Sequence, residues 1–230
     1  MPRQKAAARE RELVFLFDVD NTLLDNDRVT ADLLKRFSTT LGERARSKYV
    51  EIFEKLRKEL GYADYLGALE RYRLEDLHES RILTISNWFV DYPFRKRLFP
   101  RVFGVIQRVR RWGQIAILSD GDAVFQPRKI ARSGLWKAFS GNVMIYIHKE
   151  QMLSDVELLY PARHYVMVDD KLRILEAIKN QWGGRVTTVF PKQGHYAHDA
   201  KANAQYRPAD ISVNRIADLL KFERTDFLGA

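Results

Sequence analysis

Asp18 and Asp20 stand two residues apart directly after an uninterrupted apolar run, Leu13 to Phe17. On a strand, side chains at that spacing start on one face, so where the strand ends both carboxylates can converge on one point in solvent. Two negative charges that close are costly unless a cation or a proton lies between them. The pair therefore points to a hard cation with oxygen ligands, Mg²⁺ above all, with one carboxylate left free to act as a nucleophile. A calcium loop of the helix-loop-helix kind is excluded by its own spacing. With Asp18 as the first position, the sixth is Leu23 where glycine is required, and the twelfth is Val29 where a bidentate glutamate is required.

Further polar groups follow other apolar runs. Ser119-Asp120-Gly121 succeeds Ile115 to Leu118, Lys149 comes shortly after Val143 to Ile147, and Asp169-Asp170 closes Tyr165 to Val168. A serine hydroxyl and the N–H of a following glycine both donate hydrogen bonds to phosphoryl oxygens without adding a competing charge. Ser119 can equally cap a helix, and so can either Asp169 or Asp170.

In this order the residues resemble the haloacid dehalogenase-like superfamily. Its first motif, D-x-D-x-T after a hydrophobic strand, is similar to Asp18-Val19-Asp20-Asn21-Thr22. Ser119 matches the second motif, Lys149 the third, and Asp169-Asp170 the fourth; Lys129, inside a helical pattern, is a weaker candidate for the third. The chain departs from the pattern twice: Glu150 follows Lys149 where proline is frequent, and Asp120 follows Ser119 where many relatives carry asparagine. That extra negative charge would alter substrate preference or turn away from the site.

The resemblance implies a Mg²⁺-dependent phosphatase acting on a small phosphorylated metabolite. Asp18 would be the nucleophile and Asp20 the general acid and base. Asp18, the Asp20 carbonyl and Asp170 would bind the metal, with Asp169 in support, and Ser119, Asp120, Gly121 and Lys149 would hold the phosphate. Family dehalogenases lack an acid at the Asp20 position, which favours phosphoryl transfer over carbon–halogen cleavage. A phosphomutase on the same scaffold is the alternative within enzymes.

The elements that must position these groups follow from periodicity. Strand, helix and strand alternate from Pro100 onward, which predicts an α/β, doubly wound parallel sheet with five strands and a ligand site at their carboxyl ends. The last segment, Ile211 to Leu220, is expected to be a helix. Between Leu24 and the Arg95 region the pattern is helical throughout, with Thr30 as the first cap and Gly42 and Gly61 as stops. This predicts a small all-helical cap over 25–94, inserted into a core made of 1–24 and 95–230.

Composition narrows the setting. With no cysteine, disulfides and thiolate chemistry are excluded, and a reducing, cytoplasmic setting is expected. No apolar run reaches the ~20 residues of a membrane helix, and residues 1–12 read as a frayed tail without a secretory core. The net charge is +9. Seven basic residues and no acid lie between Arg95 and Arg111, a density that would suit a non-catalytic nucleic-acid-binding protein. Val102, Val105, Ile106, Val109 and Trp112 recur opposite at helical spacing, so the stretch also fits the wet side of a helix. A small phosphorylated substrate, rather than nucleic acid or membrane, is the expected partner.

Overall fold

The computed structural model describes residues 10–228. The first strand, β1 (Arg11–Phe17), is followed by four helices, α1 (Asn26–Leu41), α2 (Glu43–Leu60), α3 (Tyr65–Glu75) and α4 (Ile82–Val90). The chain then alternates through α5 (Val102–Val109), β2 (Gln114–Asp120), α6 (Phe125–Ser133), α7 (Leu135–Ala138), β3 (Val143–Tyr146), α8 (Leu153–Leu159), β4 (Ala162–Val168) and α9 (Leu172–Trp182). It ends in β5 (Val186–Pro191), α10 (Gly194–His198), α11 (Ala200–Asn203) and β6 (Ile211–Val213). All six strands are parallel, in the order β3-β2-β1-β4-β5-β6, so the first strand is central and the order reverses beside it.

The apolar run of β1 divides by parity. Leu13, Phe15 and Phe17 join one buried cluster and Val14 and Leu16 the other, as expected for a strand covered on both faces. The first cluster continues without a break into the helical insertion. Phe89 of α4 stacks on Phe125 of α6 with ring centroids 4.7 Å apart, and Tyr65 of α3 lies 6.0 Å from the same ring. The insertion leaves and rejoins the sheet side by side, since Asp25 donates its N–H to the Arg97 carbonyl and Phe99 donates to Leu23.

Several expectations are corrected. The cap of α1 is Asp25, whose carboxylate accepts from the N–H of Arg28. Thr30 lies one turn inside, with its hydroxyl donated to the Asn26 carbonyl. Helix α6 begins at Phe125, where Asp122 accepts from the N–H groups of Val124 and Phe125. Ile211 to Leu220 is not one helix. Ile211–Val213 pairs with β5 as a sixth strand, and a short 3-10 helix, Ile216–Lys221, follows. Its apolar residues superpose a period of two on a period near three, which looks helical in sequence. The frayed tail lies outside the described residues over 1–9, but Arg11 and Glu12 belong to β1.

The basic stretch is spread over several contacts. Arg97 pairs with Asp32 at 2.6 Å, Arg108 pairs with Glu223 at 2.7 Å and donates to the Phe222 carbonyl, and Arg95 lies over the Phe103 ring at 5.1 Å. Among the described residues no helix is long and apolar enough to cross a membrane.

Candidate active site

The register of the central strands brings the distant acids together. Phe17 pairs with Val168, and the N–H of Asp18 continues the ladder to the Val168 carbonyl at 3.0 Å. Asp18 and Asp169 therefore leave neighbouring strands at one level, and Asp169 is fixed in turn by its N–H to Val189 at 3.1 Å. Asp170 donates its N–H to the hydroxyl of Thr22, which ties the first motif to the last.

Asp18, Asp169 and Asp170 are all buried, and one oxygen from each falls within 4.8 Å of the others. Asp18 Oδ2 and both oxygens of Asp170 have no hydrogen-bond partner among the described residues. A buried carboxylate without a partner is costly and calls for a cation or a proton. Burial drives the Asp170 carboxyl well above its usual range and lifts Asp169 to about 6, although Lys149 pulls Asp169 down. Three clustered acids with unfilled oxygens are a hard-cation donor set, and they fit Mg²⁺.

Lys149 reaches this cluster from the turn after β3. Its Nζ lies 2.5 Å from Asp18 Oδ1 and 2.6 Å from Asp169 Oδ2, fully buried. Burial alone would lower its pKa, but Asp169, Asp18 and Asp120 raise it well above normal, so the ammonium is permanently charged. Asp120 turns toward the same loop, where its carboxylate accepts from the N–H of Lys149 at 2.9 Å. The Gly121 N–H is donated to the Tyr146 carbonyl. The Gly121 N–H expected at the phosphate is therefore spent within the fold, and Asp120 helps hold the loop that presents Lys149, while both residues line the cavity beside Asp20. Ser119 is buried at the end of β2, and its hydroxyl accepts from Gln126 at 3.0 Å.

Asp20 does not converge with Asp18. Thr22, Leu23 and Leu24 all donate to the Val19 carbonyl, and Asn21 takes a positive φ of 59°, which turns the chain sharply away from the strand direction. The Asp20 carboxylate instead meets Lys129, whose buried Nζ lies 2.8 Å from each oxygen, with Gln126 donating at 3.3 Å. The expected convergence of the Asp18 and Asp20 carboxylates on one point is thus corrected, and Lys129 belongs to the Asp20 side of the site. Gln126 and Lys129 are one helical turn apart on α6, on the face that also buries Phe125, Ile130 and Ser133. Two long polar residues on an apolar face were the available sequence signal for them.

A cavity of about 570 Å³ opens beside Asp20. Asn26, Arg57 and Tyr62 of the insertion line one side, and Lys171, Arg173 and Tyr196 line the other. Asp27 of α1 accepts from the N–H of His195 at 2.7 Å and contacts its Nδ1 at 2.6 Å, and Arg57 donates to the Tyr196 hydroxyl at 3.3 Å. The chamber wall is therefore built jointly by the insertion and the segment after β5. Sequence reasoning missed that segment, because no apolar run ends there.

The haloacid dehalogenase-like hydrolase family matches residues 13–181. The chain belongs to that family, and it is an enzyme of the hydrolase class. A haloacid dehalogenase-like hydrolase from Burkholderia xenovorans LB400 is 56% identical, with 94% of this chain and 98% of that chain covered and a TM-score of 0.89. More distant structures share the fold alone. The HAD-hydrolase YfnB from Bacillus subtilis, solved bound to magnesium, is 16% identical over 92% of this chain and 98% of its own, with a TM-score of 0.61. The L-2-haloacid dehalogenase from Xanthobacter autotrophicus, solved with chloropropionic acid covalently bound, is 18% identical over 90% and 96%, also at 0.61. Curated protein sequences returned no match.

Proposed function

We propose that this hydrolase is a Mg²⁺-dependent phosphatase of small phosphorylated metabolites. The observation that carries the proposal is the separation of the two acids of the first motif. Asp18 is buried beside the unpartnered carboxylate of Asp170, whereas Asp20 sits at the chamber wall in the grip of Lys129. In this reading one bonds to phosphorus and the other exchanges a proton at the leaving oxygen.

In this reading Asp18, Asp169 and Asp170 hold the metal, which supplies charge neutralisation between the nucleophile and a phosphoryl dianion. Lys149 orients Asp18, and the Ser119 hydroxyl offers a neutral donor to a phosphoryl oxygen. An Asp18 oxygen attacks phosphorus and the P–O ester bond breaks, while Asp20 passes its proton to the departing alkoxide. Asp20, now a carboxylate, takes a proton from water. The hydroxide attacks phosphorus, the bond to Asp18 breaks, and inorganic phosphate leaves. Asp20 must therefore both carry and give up a proton, and the Lys129 ammonium, with Gln126, holds its carboxylate toward the chamber in either state. The helical insertion acts as the cap that excludes water from the chamber.

The test is release of inorganic phosphate from a panel of phosphorylated metabolites and an aryl phosphate with Mg²⁺ present. Free phosphate is the expected product. An isomerised substrate with no free phosphate would make the protein a mutase. Halide release from a 2-haloacid, with every phosphate ester untouched, would overturn the proposal.

A further inference from the structure

Most charges around the chamber are matched, and among the described residues the exceptions are Asp120, whose carboxylate accepts from the Lys149 backbone N–H, and Lys171. Asp20 faces Lys129, Asp27 faces His195, Glu54 pairs with Arg57 at 3.0 Å, and Arg173 pairs with Glu150 at 2.8 Å. Lys171, which also lines the chamber, makes no ion pair within 4.0 Å among the described residues. Its ammonium lies 4.9 Å from the centroid of the Tyr196 ring. A cation at this distance over an aromatic face is attracted to it but keeps its hydrogen-bond donors unspent.

Lys171 directly follows Asp170, and its backbone N–H is anchored on Asp169 Oδ1 at 2.9 Å, so the start of its side chain is fixed beside the acid cluster. Lys149, by contrast, is spent on Asp18 and Asp169. Asp18, Asp169 and Asp170 outnumber that one ammonium, and a divalent ion held among them would offset the excess. A phosphoryl group entering at Asp18 would bring its own negative charge, and among the described residues Lys171 is the cation of the chamber lining without an ion pair.

From this geometry we infer that Lys171 is a phosphoryl-binding residue. It stands between the acid cluster and the chamber and donates to an oxygen of the bound phosphate, while Tyr196 holds it in place when the site is empty. This rests on the phosphatase reading and adds a substrate contact that the matched motifs do not contain.

Inorganic phosphate is the probe, bound to the Mg²⁺-loaded full chain and followed by titration calorimetry. A charge-assisted hydrogen bond of this kind is worth roughly a 10- to 100-fold change in affinity. Lys171→Gln is therefore expected to weaken phosphate binding by about that factor, and Lys171→Arg to restore most of it. Mg²⁺ affinity, measured separately without phosphate, is expected to hold or tighten, because a positive charge beside three acids has been removed. If Lys171 serves only to balance the acids, the Gln variant changes Mg²⁺ binding and leaves phosphate affinity within about threefold. If it serves only the fold, melting temperature, Mg²⁺ and phosphate affinity all fall together. Either result overturns the inference. Wild-type protein that hydrolyses esters beside a Gln variant with normal phosphate binding removes Lys171 alone. Wild-type protein that neither hydrolyses esters nor binds phosphate removes the phosphatase reading as well.

Discussion

Asp170 and Asp32 are both aspartates packed where an element meets the rest of the fold, and their surroundings are opposite. Asp32 projects from α1 and accepts from the Tyr92 hydroxyl and from Arg97 Nε and Nη2, the latter at 2.6 Å. Burial works against its charge, but Tyr92 and Arg97 outweigh it and lower its pKa. Asp170 is more deeply buried and accepts from nothing, and its pKa is raised well above normal. A fold selected for stability alone satisfies such a group or leaves it out. The difference separates a carboxylate kept for what it joins from one kept for what it will bind.

The sharpest way to break that contrast is Asp18→Asn. The amide is nearly isosteric but is a poor nucleophile, so phosphate release should fall by roughly a thousandfold or more. The melting temperature should hold or rise, because one of three mutually repelling carboxylates is gone. Activity within about tenfold of wild type would show that Asp18 does not attack phosphorus.

Mg²⁺ should next distinguish the two regions by stability. A ligand at a hundred times its dissociation constant stabilises by about 2.7 kcal/mol, which for a chain of this size is roughly 5–10 °C in melting temperature. Asp170→Asn should remove most of that rise, while Asp32→Asn should leave it intact. A full response in the Asp170 variant would mean that the ion binds elsewhere.

These contrasts were only partly legible in the sequence. The strand ends were, because an uninterrupted apolar run stopping at a carboxylate survives any choice of partner strand. Asp18, Asp169 and Asp170 stand out by that logic, and Ser119 and Lys149 by their place in the motif order that the chain resembles. The environment of Asp20 was not, since it depends on a single left-handed residue, Asn21, and on a helix face that carries Gln126 and Lys129 among apolar neighbours. The strand β6 was missed because three residues are too few to show a period of their own. Nothing in the sequence singles out Lys171, and only the pairing of its neighbours marks it out.

A smaller effect is the pH dependence of the Mg²⁺ response. In chelated protein Asp169 titrates near 6, above its unfolded value of 3.8, and Asp170 is raised as well. Over that window the folded state binds more protons than the unfolded state, so its stability rises as the pH falls. In the metal-loaded protein the same protons compete with the ion. The gap in melting temperature between loaded and chelated protein should therefore shrink as pH drops from about 7.5 to about 5. Groups outside the cluster, including His164 with its lowered pKa, contribute equally to both forms and cancel in the difference. A gap that widens on acidification would show that the cluster is not where the ion binds.

Asp32→Asn is expected to have the smallest effect, and of the other sign. Its side chain is 26% exposed, so solvent screens the pair with Arg97, and the cost of losing the charge is about 1 kcal/mol. That corresponds to roughly 2–4 °C in melting temperature. Because the folded pKa of Asp32 is lowered, the wild-type advantage is present above the unfolded value of 3.8 and disappears as the pH falls through the folded value. Melting curves of the two proteins should converge in acid and separate near neutrality, with Mg²⁺ shifting both alike. If the Asp32 variant instead lost its Mg²⁺ response, the joint between α1 and Arg97 would be part of what assembles the acid cluster, and the division between the two regions would fail.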